Sequence, residues 1–279
     1  MQYKIGLLAL VSATIMSFTF SSKLDFRPPG TVEVVDNFFY DESEIRNIDW
    51  KEYLSFIQYD EGIESSRYQK ALPDTTVWLE GEFLNEPLVQ LYFSHPSYND
   101  YPVVGVSHQQ ATEYCAWRTE AVKTMLKENN MTAPKSFEYR LPTKTEWELM
   151  ANAGMSKKSK KYHAKRIEKQ QQTENSSARI PLANLQYEKI VPSNKDDLTT
   201  FRTGMFAICP APTLTYLPNK YGVYNIFGNV AEMIEDPGIA VGGSYIHYYN
   251  EIVPENKVVK YESPKNWLGF RCVCEIIEK

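Results

Sequence analysis

The sequence predicts an α+β fold, and three observations carry that class. Two capping boxes, Ser107-x-x-Gln110 and Thr143-x-x-Glu146, each open a stretch with helical apolar spacing. A β-branched and aromatic run, Val32–Tyr40, stands ahead of them. From Asn184 onward, short β-like runs alternate with Gly, Pro and Asn turns, so helices come early and irregular antiparallel strands come late.

Taken in order, Val32–Tyr40 (VEVVDNFFY) reads as a single strand. A helix follows, because Trp50, Tyr53, Leu54 and Ile57 fall at i, i+3, i+4 and i+7, with Asn47 as its N-cap. Asp60–Asp100 has no clean period but many aromatics, and reads as a long ordered excursion. Ser107 then caps the clearest helix, whose stripe is Ala111, Tyr114, Cys115, Trp117, Ala121, Val122 and Met125. Thr143 caps the next, through Trp147, Leu149 and Met150. Residues 155–178 change composition, with Lys157, Lys158, Lys160, Lys161, Lys165, Arg166 and Lys169 followed by a Gln/Asn/Ser tract. Such a basic polar loop lacks the apolar content to pack.

Composition narrows the function classes. The 279 residues are 43% hydrophobic, with 19 Tyr, 13 Phe and 5 Trp, enough apolar mass for a folded core. A net charge of −5 argues against nucleic acid as a partner, since such proteins carry a basic surface. Residues 1–21 combine Lys4, the apolar run from Ile5 and small residues near Ser21, the pattern of a secretory signal peptide. A retained signal anchor is the alternative. Residues 22–279 are then expected as one domain, secreted or periplasmic, and not transmembrane once the signal is removed. In that oxidising setting Cys115, Cys209, Cys272 and Cys274 favour disulfides over metal ligation, and three full connectivities are open.

Several segments together carry a family resemblance: Pro102-Val-Val-Gly-Val-Ser107, Ala111-Thr-Glu-Tyr-Cys-Ala-Trp117, Tyr139-Arg-Leu-Pro-Thr-Lys-Thr-Glu-Trp-Glu148, Asn219-Lys-Tyr-Gly-Val-Tyr-Asn-Ile-Phe-Gly-Asn-Val-Ala-Glu232, Val241-Gly-Gly-Ser-Tyr245 and Leu268-Gly-Phe-Arg-Cys272. In order and spacing the chain resembles the formylglycine-generating enzyme, or sulfatase-modifying factor, family over most of Phe39–Val273. The resemblance implies a complex α+β fold with a C-type-lectin-like core. Asp74-Thr-Thr-Val-Trp78, Asn85-Glu-Pro87 and His95–Pro102 are similar to the gliding-motility and type IX secretion lipoprotein branch, whose members carry a lipid-anchor cysteine that this chain lacks.

What the resemblance implies chemically divides in two. The family's oxidase site holds Cu(I) through two cysteine thiolates just beyond the Gly-Gly-Ser segment, and soft thiolates suit that soft ion. The matching positions here are His247 and Ile252, so no copper and no formylglycine chemistry of that kind are expected, and no catalytic residue is assigned. The family's calcium turn is matched by Gly228, Asn229, Val230 and Glu232, with side-chain and carbonyl oxygens suited to Ca²⁺. Asn184 and Leu185 match part of a second calcium site, whose acidic ligand is missing near Thr203–Phe206. The resemblance also implies a bridge from helix to final strand, Cys115–Cys272, with Cys274 as competitor or as partner of Cys209.

The function expected is accordingly a secreted, non-catalytic domain serving the cell envelope through binding or assembly with a protein partner. The alternatives are an oxidoreductase with a site rebuilt around Tyr245, His247, Tyr248 and Tyr249, and a carbohydrate-binding module.

Overall fold

The computed structural model describes residues 26–80, 86–152, 183–184, 209–247 and 257–278. The signal segment, the basic loop 155–178, and Tyr248, Tyr249 and Ile252 lie outside the described residues.

The chain is α+β. Strands β1 (Thr31–Val35), β2 (Phe38–Asp41), β3 (Ser136–Arg140) and β8 (Val273–Glu278) form an antiparallel sheet in the order β1-β2-β8-β3. The C-terminal strand β8 is therefore central, between the first hairpin and β3. Strands β4 (Ala231–Met233), β5 (Ile239–Val241), β6 (Val259–Lys260) and β7 (Leu268–Phe270) form the second sheet, in which β4 and β7 run parallel.

Val32–Tyr40 is not one strand but the β1–β2 hairpin, turning at Asp36-Asn37 with Asn37 at φ 69°. Asparagine tolerates that left-handed conformation, and an Asp-Asn pair between apolar runs is the local signal that breaks the strand.

Helix α1 (Asn47–Glu61) buries the expected Trp50, Tyr53, Leu54 and Ile57. Its N-cap is Arg46, not Asn47: the Asp49 carboxylate accepts from the Arg46 backbone N–H at 2.9 Å. Asn47 is buried instead, its amide donating to the carbonyls of Tyr92 and Tyr98. That ties α1 to the excursion after it, which is built from α2 (Ser66–Ala71), α3 (Glu86–Leu91) and two short 3-10 turns.

Helix α4 (His108–Glu128) starts at the predicted box, with Ser107 Oγ accepting from Gln110 N and Gln110 Oε1 from Ser107 N at 2.7 Å. Helix α5 (Lys144–Asn152) starts at the second, with Glu146 accepting from Thr143 N at 2.7 Å. Thr119 adds a link that apolar spacing does not show: its hydroxyl accepts from Tyr139 N at 2.9 Å and fastens α4 to β3.

The main core lies where α1 and α4 meet the sheets. Trp50 stacks on Tyr114 at 5.3 Å between ring centroids, and both meet the Phe270 ring edge-on. Each such aromatic buries a large apolar area, and Trp50 Nε1 is satisfied by the Ala71 carbonyl. Among the described residues no helix is long and apolar enough to cross a membrane.

Candidate functional site

The turn Asn225–Val230 is made by three residues at positive φ, Asn225 (50°), Gly228 (81°) and Asn229 (63°). Asparagine and glycine accept such angles at low cost, which explains these residue types here. The Gly-Gly-Ser segment packs directly against this turn. Gly228 N donates to Gly242 O, and a Cβ on Gly242 (φ 82°) would stand 2.9 Å from the Ile226 carbonyl.

Beyond the turn, β4 lies parallel to β7, pairing Glu232 with Gly269, and so brings Glu232 to Arg271. Both side chains are buried. Glu232 Oε1 accepts from Arg271 Nε at 2.9 Å and again from Nη2, while Oε2 accepts from Trp147 Nε1 at 3.2 Å. Burial alone would lower the Arg271 pKa; the charges of Glu232 and Glu44 outweigh it and hold the guanidinium protonated.

Glu44 lies in the same buried cluster. Asn229 Nδ2 donates to it at 2.9 Å and Asn225 Nδ2 at 3.2 Å. Burial pushes its carboxyl up to about 7, with Arg271 opposing and the Glu232 charge adding to the rise.

The geometry separates the expected calcium ligands by what they touch. Asn229 Oδ1 accepts from Ala211 N at 2.7 Å and from Asn184 Nδ2 at 3.2 Å. Glu232 shares its carboxylate with Arg271. Asn225 Oδ1 and Thr213 Oγ1 are buried oxygens with no hydrogen-bond partner. The described residues hold no cluster of three or more His, Cys, Asp or Glu able to grip a metal, so an ion would rely on amide and carbonyl oxygens. Glu232 takes the one guanidinium, which leaves Glu44 with amide donors as its hydrogen-bond partners and an orphan oxygen, Asn225 Oδ1, in the same cluster. A hard cation would fit at Asn225 Oδ1 and Glu44, whereas Asn229 Oδ1 and Glu232, two of the four predicted positions, are already committed to Ala211, Asn184, Arg271 and Trp147. Asn225 stands in the Asn219–Glu232 family-like segment and Glu44 in Phe39–Ile45, which is similar to the family's opening strand and turn, but neither carried a role in the sequence.

At the positions matched to the copper thiolates, Ile252 lies outside the described residues. His247 Nδ1 meets Ser244 Oγ at 2.7 Å, and its ring stands edge-on to Trp267 at 5.2 Å. Tyr245 is buried, its backbone N donating to Asn229 O. Cys115 Sγ and Cys272 Sγ are brought to 3.3 Å, buried between α4 and the β7–β8 junction, while Cys274 is buried in β8. Cys209 packs, with Tyr98 and Tyr101, against the cluster that holds Trp78 and Tyr92, and it interacts with Tyr245 at the site.

Comparison with known proteins follows the same lines. A search of curated proteins finds the formylglycine-generating enzyme of Mus musculus, 25% identical over 76% of this chain and 52% of that protein. It also finds the serine/threonine-protein kinase pkn1 of Chlamydia pneumoniae, 25% identical over 73% of this chain and 23% of that one. The chain thus spans about half of one relative and about a quarter of the other. Among solved structures, CarF superposes with a TM-score of 0.47 at 17% identity, covering 86% of each chain. PvdO from Pseudomonas aeruginosa gives 0.46 at 15%, covering 88% of this chain and 82% of that one. The family model described as sulfatase-modifying factor enzyme 1-like domain matches residues 10–276. With its α+β arrangement and a match across nearly its whole length, the chain belongs to the sulfatase-modifying factor enzyme 1-like domain family.

Proposed function

We propose that this domain is a non-catalytic member of its family, working outside the cytoplasm as a binding or assembly component of the cell envelope. The observation that carries the reading is His247. It stands where the family has a copper thiolate, and it is held by Ser244 and Trp267 as a structural residue of the loop. The second matched position is Ile252, which offers a metal no lone pair. Cys115 and Cys272 face each other, buried between helix and strand, and Cys209, the thiol that interacts with Tyr245, is pushed up to about 11 by burial and so stays a protonated thiol.

The gliding-motility and type IX secretion machinery is the envelope assembly we assign it to, on the Asp74–Trp78 and His95–Pro102 segments. In the described residues the aromatics of these segments pack on one another and on Tyr92. Trp78 meets Tyr92 at 4.6 Å and Tyr98 meets Tyr101 at 5.0 Å. Their surface is what a partner would meet.

The deciding experiment incubates the purified domain, with and without copper, with a sulfatase-type cysteine peptide and follows the product by mass spectrometry. No aldehyde is expected. Multiple turnovers to formylglycine would overturn the reading, and affinity isolation from cell envelopes then identifies the bound neighbours.

A further inference from the structure

A long groove between α1 and α4 is unlike the surface around it. On α4 it is lined by Gln109, Glu113, Ala116, Glu120, Thr124 and Glu128, spaced by three and four residues along one helix face. At 1.5 Å per residue that stripe runs about 28 Å. On α1 it is lined by Glu52, Phe56 and Tyr59, again one helical face. The groove encloses about 1320 Å³.

Its floor is aromatic. Tyr53 meets Trp117 at 5.1 Å and Phe56 meets Trp117 at 6.1 Å, while Phe56 is 46% exposed and Tyr59 93%. The Trp117 Nε1 donor beneath has no acceptor. Its walls are acidic: six carboxylates and two cations line it, a net −4 on one groove in a chain whose whole net charge is −5. Arg67 is already paired with Glu61 at 3.0 Å, and Glu120 with Lys123, which does not line the groove, at 2.8 Å. Glu52, Asp60 and Glu128 have no ion-pair partner among the described residues.

An ordinary solvated helix face explains the carboxylates but not the exposed aromatics set between them. A groove of two helix faces with aromatic anchors and one sign of charge is how a third amphipathic segment is received. We infer that the α1–α4 groove docks a basic, amphipathic peptide segment of a partner protein. Its apolar side chains seat on Phe56, Tyr59 and Trp117, and its lysines or arginines face Glu52, Glu120 and Glu128. Charge complementarity selects the partner and speeds the encounter, while the aromatic floor holds it. This stands whether or not the domain proves catalytic.

The test uses the full mature chain and a labelled synthetic peptide of about 15 residues, Lys-rich on one helical face and Leu/Trp on the other. Fluorescence anisotropy should show saturable binding that weakens at least tenfold in about 0.5 M salt. Glu52→Lys with Glu120→Lys, both exposed positions, should weaken it at least tenfold with an unchanged melting temperature, and Phe56→Ala should do so at any salt. A peptide of the same apolar pattern with Glu for Lys should not bind. Equal binding of the acidic peptide, or unchanged affinity in the charge-reversed protein, would overturn the inference. So would a glycan that occupies the groove and is lost with Phe56→Ala while the basic peptide shows no binding.

Discussion

Cys115 Sγ on α4 and Cys272 Sγ beside β7 stand 3.3 Å apart, buried, across 157 residues of sequence. Closing that pair into a disulfide brings the sulfurs from 3.3 Å to the ~2.05 Å of an S–S bond. Cys274 is two residues on and buried, pairing in register with Phe39 and Tyr139, so it is not the thiol in contact with Cys115. We propose that the protein carries the Cys115–Cys272 link. A loop of that length is worth about 4–5 kcal/mol in the chain-entropy model, less any strain. Non-reducing peptide mapping should find Cys115 joined to Cys272, and Cys115→Ser should unfold at clearly lower denaturant than Cys209→Ser. Cys115 joined to Cys274 would contradict the pairing.

Glu232 and Arg271 make a second prediction. Removing one member strands a buried charge, which costs about 3–5 kcal/mol, whereas replacing both with apolar residues of similar volume costs much less. Glu232→Ala and Arg271→Ala should each lower the urea midpoint strongly. The double change Glu232→Leu with Arg271→Met should recover part of that loss. Additive losses in the double-mutant cycle would show that the two groups do not act as a pair.

The calcium proposal is tested through stability, because a ligand that binds only the folded state raises its melting temperature. Protein stripped with chelator should melt higher in millimolar calcium. Asn225→Leu, which removes the orphan oxygen in the turn, should abolish the increment. No shift in the parent protein would leave Glu232 with Arg271 alone as its counter-ion and retire the site.

How much of this was legible in the sequence depends on distance along the chain. The helices α1 and α4 were readable because their buried stripes repeat within three or four residues, and both capping boxes are local to four residues. The hairpin turn at Asn37 was missed because six of the nine residues of Val32–Tyr40 favour a strand. Arg46 as N-cap ran against composition, since its own side chain caps nothing and Asp49 supplies the bond. The site is harder still. Glu44 meets Asn225 and Asn229 across 181 and 185 residues, and Arg271 meets Glu232 only because β4 and β7 run parallel. No spacing rule reaches that far; a motif names such residues without telling what they touch.

Glu146 links the second capping box to pH. Burial opposes its charge, but the bonds from Arg140 at 2.7 and 2.9 Å and from Thr143 outweigh it and hold the carboxyl below its ordinary value. A carboxylate depressed in the folded state binds fewer protons there than in the unfolded chain. Stability from it is therefore full above the ordinary glutamate range and is lost as pH falls through the folded value. The group is only half-buried and Arg140 also serves Glu275, so solvent screening keeps the contribution to about 1 kcal/mol. Denaturant melts from pH 7 down to pH 3 should show the parent losing more stability than Glu146→Gln. Gln keeps the cap's acceptor oxygen and loses the charge, so the two proteins should converge at the acid end. Parallel pH profiles would mean that the Arg140 bonds contribute geometry and no net charge stabilisation.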